Sequence, residues 1–600
     1  MRRRLWSVPL VILLTATGAP AVAVAEDRTT TTEPLPLERL FDNRAVSDDA
    51  RPGEADFDGA GNSLSAQDLH AAGWEPGRRL DLDSASLRWP RTRPGRPDNV
   101  RADGQHVRIR GEGNAVSLLV AGTSPGGPGG DVTGSGTIRY RDGSTSTYTL
   151  SAPDWRGGPL ATKAVALPHV NTRSGGQLTE KAKLYAVTVP VRQDRRIRSL
   201  TLPHDTRTGS DLHVFAASVR RDAAGWTGSW STSSSGYTAV GPWRDQTLRL
   251  VVHASEGGSR TRVRLANTFA SAPVEIGHAS VVVRREGAAG RGRPVPLRFG
   301  GREGTVMPAG AQAVSDPVGL RVPPDSDLLV SIHLPGPVAA APVHSAAIQR
   351  SYMSESGSGD RTRDEEGGAF TGSLEVWPFL TGVDVRGGQG SVVAFGDSIT
   401  DGVRSTQGAN RRWPDVLARR LRAQDGVPRY GVLNQGISAN RVISDRYPGD
   451  GVSTDTGGVS ALHRLERDVL AQTDARTVVV FEGINDVRWG ASAADVVAGL
   501  RTLAERARER GLRVVGATLT PCEGYHDCSA EVEAKRSAVN AFIRDSGGAF
   551  DAVLDFDAVV RDPARPQRML PAYDSGDHLH PGDAGLKAMA DSVELRKLVP

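Results

Sequence analysis

The last third of the chain alternates short apolar runs with helical patterns, and this alternation constrains the fold more than any other feature. The apolar runs predict strands over Val392–Phe395, Tyr430–Asn434, Val478–Glu482, Val514–Leu519 and Val553–Phe556. Helices are predicted over Trp413–Ala423 and Ala493–Arg510, where apolar residues recur on one helical face. Strands that alternate with helices build a parallel sheet with helices on both faces. The sequence therefore predicts an α/β three-layer domain over residues 389–600.

Two segments of this domain contain the groups of a nucleophilic site. The first predicted strand runs into Gly396-Asp397-Ser398, and Asp577-His578-Leu579-His580-Pro581 stands near the end of the chain. Together they supply a serine, a histidine and a carboxylate, which acyl-transferring hydrolases use as nucleophile, base and orienting group. A turn after a strand exposes its serine at the carboxyl edge of the sheet, where α/β folds bind ligands.

Four segments of the domain resemble, in order, the motifs of the SGNH (GDSL) hydrolase family. They are Gly396-Asp397-Ser398, Asn434-Gln435-Gly436-Ile437-Ser438, Gly483-Ile484-Asn485-Asp486 and Asp577-His578-Leu579-His580-Pro581. The region from Trp226 onward also resembles the segment that precedes this domain in secreted actinobacterial members. The resemblance implies a flavodoxin-like parallel sheet and a serine hydrolase that needs neither a cofactor nor a metal.

The resemblance also implies a role for each matching residue. Ser398 attacks an ester carbonyl, His580 accepts the proton and returns it to the leaving alcohol, and Asp577 holds the imidazole. The oxyanion hole consists of the backbone N–H groups of Ser398 and Gly436 and the side-chain amide of Asn485.

Several alternatives stay open within this assignment. His578 competes with His580 for the role of base, although the family spacing and Pro581 favour His580. Ser398 and Asn485 could instead cap helices. The alternative carboxylates are Asp555 and Asp557, whereas Asp397 and Asp401 are expected to organise the turn at the serine.

The first residues predict export from the cell. Arg2-Arg3-Arg4 precedes an apolar stretch that starts at Leu5, and Ala23-Val24-Ala25 offers small residues at cleavage spacing. This is the pattern of a secretory signal peptide, here over residues 1–25, and a polar linker over residues 26–36 follows. No other segment is long and apolar enough to cross a bilayer. We therefore expect a secreted, extracellular protein without stable membrane insertion.

The region over residues 37–222 is predicted to be a β-sandwich. Short alternating runs are separated by turn residues, and Asp142-Gly143 is a strong hairpin signal. The region resembles galactose-binding-like modules of secreted actinobacterial glycan-processing enzymes. The stretches that carry this resemblance are Phe41-Asp42-Asn43, Asp56–Ser63, Pro97–Val100 and Pro153-Asp154-Trp155. It implies polysaccharide binding by this module, with a packing or spacer domain as the alternative.

Residues 223–388 are predicted to form a β-rich accessory domain. Gln246–His253 and Arg262–Asn267 alternate with period two, and Leu328–Leu334 has the pattern of a more buried strand. The region holds three tryptophans that belong either to its core or to a platform for sugar rings. They are Trp226, Trp230 and Trp243.

Charge and cysteine content narrow the choice of partners. A net charge of +4 over 600 residues is small, so no nucleic-acid partner is expected. The only cysteines, Cys522 and Cys528, lie close together and predict a disulfide in an exported chain. The alternative, metal ligation by this pair with His526, lacks further ligands.

The sequence as a whole favours a secreted serine esterase that deacylates, and in particular deacetylates, carbohydrate or polysaccharide. The carbohydrate substrate follows from the attached module and is an argument by architecture. A lipase or lysophospholipase acting on lipid esters is the second hypothesis, against which the low aromatic content of 5% argues. A non-catalytic glycan-binding surface protein is the third, and it would require a missing catalytic residue.

Overall fold

Two packed antiparallel sheets form the first region of the protein. The structure is a computed structural model that describes residues 37–109, 111–124, 127–205, 209–220 and 224–600, so the predicted signal peptide and linker lie outside the described residues. One sheet has the order Lys163–Leu167, Ala182–Pro190, Ala115–Thr123, Asp211–Arg220 and Val100–Arg101. The other has the order His106–Val107, Ile197–Asp205, Val132–Tyr140 and Thr145–Ala152. The predicted hairpin joins the last two strands, and the predicted β-sandwich is confirmed.

The stretches that carry the galactose-binding-like resemblance pack inside this region. Both carboxylate oxygens of Asp98 accept hydrogen bonds from backbone N–H groups, at 2.9 Å from Ala45 and 3.0 Å from Val46. Trp155 is buried, and Phe57 meets its ring edge-to-face. These residues stabilise the fold, and sugar binding by the region stays a prediction. The remaining elements here are the strands Val46–Ser47, Asn62–Ser65, Val170–Thr172 and Gln177–Leu178, the helix Ala66–Ala71 and the 3-10 turns Pro52–Glu54 and Leu160–Thr162.

A second β-sandwich follows. One sheet has the order Trp226–Ser231, Leu380–Arg386, Thr261–Ala266, Gln312–Val314, Arg79–Leu82 and Ala85–Arg88. The facing sheet has the order Ala289–Gly290, His278–Glu286, Ser326–Leu334, Gln246–Ala254, Ser351–Met353 and Gly372–Leu374, with Val295–Pro296 paired to its second strand. Smaller sheets pair Gly236–Thr238, Ala341–His344 and Trp377–Pro378, and Val274–Ile276 with Thr305–Met307.

This sandwich has one feature that the sequence did not predict, and it decides between the two roles that the sequence left open for its tryptophans. The hairpin of Arg79–Leu82 and Ala85–Arg88 precedes the predicted boundary at residues 222 and 223, yet it extends the second region's sheet. The three tryptophans Trp226, Trp230 and Trp243 are all buried, so the hypothesis of a sugar platform is wrong. Trp230 and Trp243 belong to the core between the two sheets, where large apolar area contributes to stability.

The last region contains a parallel sheet, as predicted. Its strands are β1 (Ser391–Gly396), β2 (Gly431–Gly436), β3 (Ala475–Phe481), β4 (Arg513–Ala517) and β5 (Ala552–Leu554). The spatial order is β2-β1-β3-β4-β5, and every pairing is parallel. This is the flavodoxin-like order. Because β2 lies on one side of β1 and β3 on the other, the connections that follow β1 and β2 diverge and leave a crevice for ligands at the carboxyl ends of β1 and β3. Residues of β1 are buried throughout because helices cover both faces.

Helices on both faces complete this three-layer domain. The α-helices are Ser398–Asp401, Trp413–Arg422, Ala461–Leu465, Ile484–Arg488, Ala493–Glu509, Ala530–Arg544, Phe556–Val560 and Asp583–Ser592. A π-helical segment, Glu466–Leu470, continues the third of them, and a 3-10 helix, Leu595–Leu598, ends the domain. A small β-hairpin consists of Arg561–Asp562 and Arg565–Met569. Both predicted helices are present and end one residue earlier than expected. No helix in the described part of the chain is long and apolar enough to cross a membrane.

The accessory sandwich contacts the open edge of the parallel sheet at β2. Gly228 donates its N–H to Ser391 Oγ at 3.1 Å, and Val432 donates its N–H to Ser255 Oγ at 3.0 Å. A Cβ at Gly431 would lie 2.1 Å from the Gly228 carbonyl oxygen, so only glycine permits this close approach. The accessory sandwich therefore covers this edge of the parallel sheet.

Candidate active site

Ser398 stands at the carboxyl end of β1, on a sharp turn into a short helix. Asp397 caps this helix by accepting the N–H of Ile399 at 3.0 Å, so Ser398 is not the cap. A Cβ at Gly396 would lie 2.3 Å from Thr400 Oγ1 and 2.5 Å from the Phe481 carbonyl oxygen. Glycine is therefore required for the turn to pack between β1 and β3. This packing holds the serine beside the crevice at the carboxyl ends of these two strands.

The structure brings Ser398, His580 and Asp577 into one hydrogen-bonded line. Ser398 Oγ lies 2.9 Å from His580 Nε2, and His580 Nδ1 lies 2.8 Å from Asp577 Oδ2. Asp577 Oδ1 accepts the backbone N–H groups of Leu579 and His580 at 3.0 Å and 2.9 Å. The carboxylate thus fixes both the loop and the imidazole, which is the arrangement of a nucleophile, a base and an orienting acid.

The pKa values of Asp577 and His580 allow His580 to act as a general base at neutral pH. Burial alone would raise the pKa of Asp577, but hydrogen bonds from His580 and Leu579 outweigh it and lower that pKa. Burial also lowers the pKa of His580, and the neighbouring Asp577 carboxylate offsets only part of this effect. At neutral pH, therefore, Asp577 is ionised and His580 is neutral and able to accept a proton.

The alternative residues occupy other places. His578 Nδ1 lies 2.5 Å from Asp574 Oδ2, and the imidazole is half-exposed. Asp555 and Asp557 are held by arginines, both of them by Arg544. Asp401 lies 3.0 Å from His344 Nε2 and accepts the N–H of Ser438 at 3.0 Å, so it organises the turn as expected.

Asn485 is fixed at the carboxyl end of β3 by hydrogen bonds on both sides of its amide. Its Nδ2 donates to the Asn440 carbonyl at 2.9 Å, and its Oδ1 accepts from Arg488 Nη1 at 2.8 Å. The cap of the Ile484–Arg488 helix is Gly483, so Asn485 does not serve that purpose. The second N–H of the amide makes no hydrogen bond to another residue in the described part of the chain.

The geometry does not support Gly436 as a donor. Its N–H already donates to Asn434 Oδ1 at 2.9 Å, and a Cβ there would lie 2.2 Å from the Asp401 nitrogen. Glycine is needed at this position because β2 packs directly against the turn that carries the serine. Further along the loop, Ala439 has a φ of 66°, a left-handed conformation that costs roughly 1–2 kcal/mol for a residue with a β-carbon. Such strain concentrates at functional sites.

A loop closed by a disulfide positions Asn485 through Arg488, and the sequence did not predict this connection. Cys522 and Cys528 form the predicted disulfide, which is confirmed. Within the loop, Asp527 binds Arg488 through two hydrogen bonds of 2.7 Å and 2.9 Å. The Arg488 guanidinium also lies 4.5 Å from the centre of the Tyr525 ring. The loop therefore orients the arginine that orients the asparagine.

A buried charged cluster under the site was also missed. Arg464 is fully buried and donates to the carbonyl oxygens of Gly396 and Gln435 at 2.9 Å and 2.8 Å, which ties the ends of β1 and β2 together. Burial raises the pKa of Asp397 to about 7 and that of Asp486 to about 6. An arginine in a helical segment carries no local sign of burial, so the sequence could not identify this role.

Residues 394–588 match the family model described as GDSL-like Lipase/Acylhydrolase family. This part of the chain is a GDSL-like lipase/acylhydrolase domain. The family acts on esters, so the GDSL-like domain is that of a hydrolase. Residues 31–223 match the model of an AziU2-like beta-sandwich domain, and the galactose-binding-like resemblance of this part stays a prediction. No curated protein matches the chain.

Solved structures similar to the GDSL-like domain include three esterases or lipases. A GDSL-like lipase from Bacteroides thetaiotaomicron is 18% identical, with 34% of this chain and 87% of that chain covered and a TM-score of 0.26. A variant of the acetyl-xylooligosaccharide esterase Axe2 from Geobacillus Stearmophilus is 22% identical, with 35% and 95% covered and a TM-score of 0.28. The acetyl xylan esterase AlAXEase is 21% identical, with 34% and 96% covered and a TM-score of 0.25.

Proposed function

We propose that this protein is a secreted serine esterase that hydrolyses carboxylic esters through an acyl-Ser398 intermediate. The observation that carries the proposal is the hydrogen-bonded line from Ser398 Oγ through His580 to Asp577. Secretion is supported by the Cys522–Cys528 disulfide, because such bonds persist in oxidising compartments.

The reaction proceeds in two steps, the acylation of Ser398 and the hydrolysis of the acyl-enzyme. Ser398 Oγ attacks the ester carbonyl while His580 Nε2 takes its proton, and the imidazolium then gives that proton to the departing alcohol oxygen. A water molecule repeats the sequence on the acyl-enzyme, with His580 again as the base, and releases the acid. Asp577 stays ionised throughout and stabilises the imidazolium.

The oxyanion of each tetrahedral intermediate needs donors that are already in place. We assign these to the Ser398 N–H, the free N–H of the Asn485 amide and a backbone N–H of the loop after β2. Because Asn434 occupies the Gly436 N–H, the strained Ala439 is the better source of the third donor. Its neighbour Ser438 is bound to Asp401 of the nucleophile turn, and Asn440 is bound to Asn485.

The substrate class we propose is an acylated carbohydrate, with acetyl as the acyl group. Trp489 directly follows the helix that carries Asn485 and leaves 38% of its surface exposed. The guanidinium groups of Arg446 and Arg488 lie 4.7 Å and 5.4 Å from the centre of its ring, and we propose that the exposed remainder of the ring contacts a sugar. The preceding β-sandwich adds a second surface for a polymer, and its part in substrate binding is an argument by architecture.

A panel of nitrophenyl esters, from acetyl to long-chain acyl, tests this proposal. We expect kcat/KM to be highest for acetyl and acetate to be released from acetylated polysaccharide. Highest activity on long chains would instead assign the protein to the lipases, and absence of turnover on every ester would contradict the esterase.

Replacement of Arg488 should lower catalysis without removing a group that touches the substrate. In Arg488→Ala, the Asn485 amide loses the partner that fixes its Oδ1, so its N–H no longer points at the oxyanion. We expect kcat to fall by roughly 10-fold to 100-fold with little change in KM, less than for the loss of a donor outright. Steady-state kinetics on the acetyl ester measures this.

The chain offers a matched control for Arg488. Arg544 makes the same two-point contact with Asp555, at 2.9 Å and 2.8 Å, and contacts neither Ser398 nor Asn485 in the described part of the chain. Arg544→Ala should therefore leave kcat unchanged. Equal losses in both variants would show that Arg488 acts on the stability of the domain and does not position Asn485.

A further inference from the structure

Two histidines and an aspartate meet on the accessory sandwich, on a face formed by adjacent strands and a loop. His278 and His333 are directly paired across the strands His278–Glu286 and Ser326–Leu334. Asp360 comes from the polar loop that follows the Ser351–Met353 strand. One nitrogen of each histidine and one Asp360 oxygen all lie within 4.8 Å of one another. These residues are far apart in sequence, so no motif marks them.

Both imidazoles have a carboxylate at the outer ring nitrogen. His333 Nε2 lies 2.9 Å from Asp245 Oδ1, and His278 Nε2 lies 3.4 Å from Glu303 Oε2. A carboxylate at Nε2 favours the tautomer with its proton there and leaves the Nδ1 lone pair free. Metal-binding histidines are oriented in this way by carboxylates behind them.

The inner ring nitrogens are the Nδ1 atoms, which face the third member of the cluster. Nδ1 of His278 and Nδ1 of His333 are both buried and make no hydrogen bond to any residue in the described part of the chain. His333 as a whole is only 8% exposed, so an unpartnered acceptor there destabilises the folded state. Such a cost is removed when a ligand supplies the missing partner.

Asp360 completes the cluster with one oxygen to spare. Its Oδ1 accepts the N–H of Thr362 at 2.8 Å, while its Oδ2 lies 3.1 Å from His278 Nδ1 in a direction that makes no hydrogen bond. Two nitrogen lone pairs and an anionic oxygen therefore converge. These atoms repel one another unless a proton or a metal ion lies between them.

Glycine next to the first histidine keeps this space open. A Cβ at Gly277 would lie 2.9 Å from His333 Nδ1, and the Gly277 N–H donates to the His333 carbonyl at 3.0 Å. A side chain at this position would fill the approach to the ring nitrogen.

We propose that His278, His333 and Asp360 bind a zinc ion through the two Nδ1 atoms and Asp360 Oδ2, with solvent as the remaining ligand. Two imidazoles and a carboxylate suit Zn²⁺, which takes four ligands of this kind at about 2.0–2.2 Å. Calcium and magnesium prefer all-oxygen sites, so they fit less well. The ion links the loop that holds Asp360 to two strands of the sandwich. This role is separate from the chemistry at Ser398.

Calorimetric titration of the metal-stripped, tag-free full chain with zinc chloride tests the proposal. We expect about one zinc ion per chain. Asp360→Asn and His278→Ala should each weaken binding by about 100-fold or more, and Asp245→Ala should weaken it by roughly 10-fold to 100-fold. His70→Ala is the control, because His70 is an exposed histidine beside a single carboxylate, Glu75, at 2.9 Å. It should bind zinc as the native chain does.

Melting temperature and esterase activity complete the test. Zinc should raise the melting temperature of the native chain and not that of Asp360→Asn, while the Ser398-dependent rate on a small ester stays the same in both. Asp360→Asn preserves the shape of the side chain, so it remains informative if His278→Ala does not fold. Zinc binding that is absent in the native chain, or that persists unchanged in Asp360→Asn, would overturn the proposal.

Discussion

Ser398→Ala should lose nearly all esterase activity, with kcat/KM on an acetyl ester reduced by about 10⁵-fold to 10⁶-fold. The alanine has no oxygen to attack the carbonyl, and His580 Nε2 then has no proton to accept. The fold should persist, since Ser398 is not the cap of its helix and Asp397 keeps that role. Steady-state rates, corrected for uncatalysed hydrolysis, measure the loss.

Ser405→Ala is the matched control for this change. Ser405 lies just beyond the same turn, where its Oγ donates to the Gly402 carbonyl at 2.7 Å. It has no contact with His580 in the described structure, so activity should stay within about twofold of the native value. If Ser398→Ala retained native turnover, the acyl-serine mechanism would be wrong.

Asp577→Asn should lower kcat by about 10⁴-fold while leaving the loop intact. The asparagine oxygen can still accept the N–H groups of Leu579 and His580. Its NH₂ group, however, would face His580 Nδ1 and force the imidazole proton onto Nε2. An Nε2 that carries a proton cannot accept the one from Ser398, so the base is lost although its position is kept.

The pH dependence provides a second readout of the same pair. Activity needs neutral His580, so kcat/KM should fall tenfold per unit as the pH drops through the pKa of His580. Burial places this pKa below the ordinary imidazole value of about 6.5. The Asp577 carboxylate raises it, so its removal should move the acid limb of the residual activity to still lower pH.

Asp574→Asn is the control that distinguishes the loss of the Asp577 carboxylate from a general disturbance of the loop. Asp574 pairs with His578 and accepts its backbone N–H at 3.0 Å, in the same turn as Asp577. Its replacement should leave both the rate and the acid limb nearly unchanged. A native-like rate in Asp577→Asn would remove Asp577 from the proposed mechanism.

The sequence predicted most of the α/β domain because its signals are local. Each buried strand of the parallel sheet is a continuous apolar run, and the Ala493–Glu509 helix repeats its apolar residues with the period of a helix. The spatial order of the strands follows less directly, although short right-handed crossovers leave few alternatives. Exchange of a hairpin between regions, as at Arg79–Leu82 and Ala85–Arg88, leaves no local mark and was missed.

In the candidate site, too, some residues were predicted from the sequence and others were decided only by the folded structure. Ser398 follows a recognisable strand and turn. The resemblance to the SGNH family assigned His580 and Asp577, which lie in one loop with 2.8 Å between His580 Nδ1 and Asp577 Oδ2. Gly436 has the same kind of local pattern, but the competing hydrogen bond from its N–H to Asn434 becomes visible only in the folded chain.

By itself, the sequence determined the elements, the nucleophile turn, the His580–Asp577 pair and the disulfide, because each depends on residues close together in the chain. Only the tertiary structure decided the rest: Arg464 between β1 and β2, the support of Asn485 by Arg488 and Asp527, and the convergence of His278, His333 and Asp360. An arginine or a histidine has the same local pattern whether it is solvated or buried. Its partners are chosen by packing between distant elements, which no short stretch of sequence encodes.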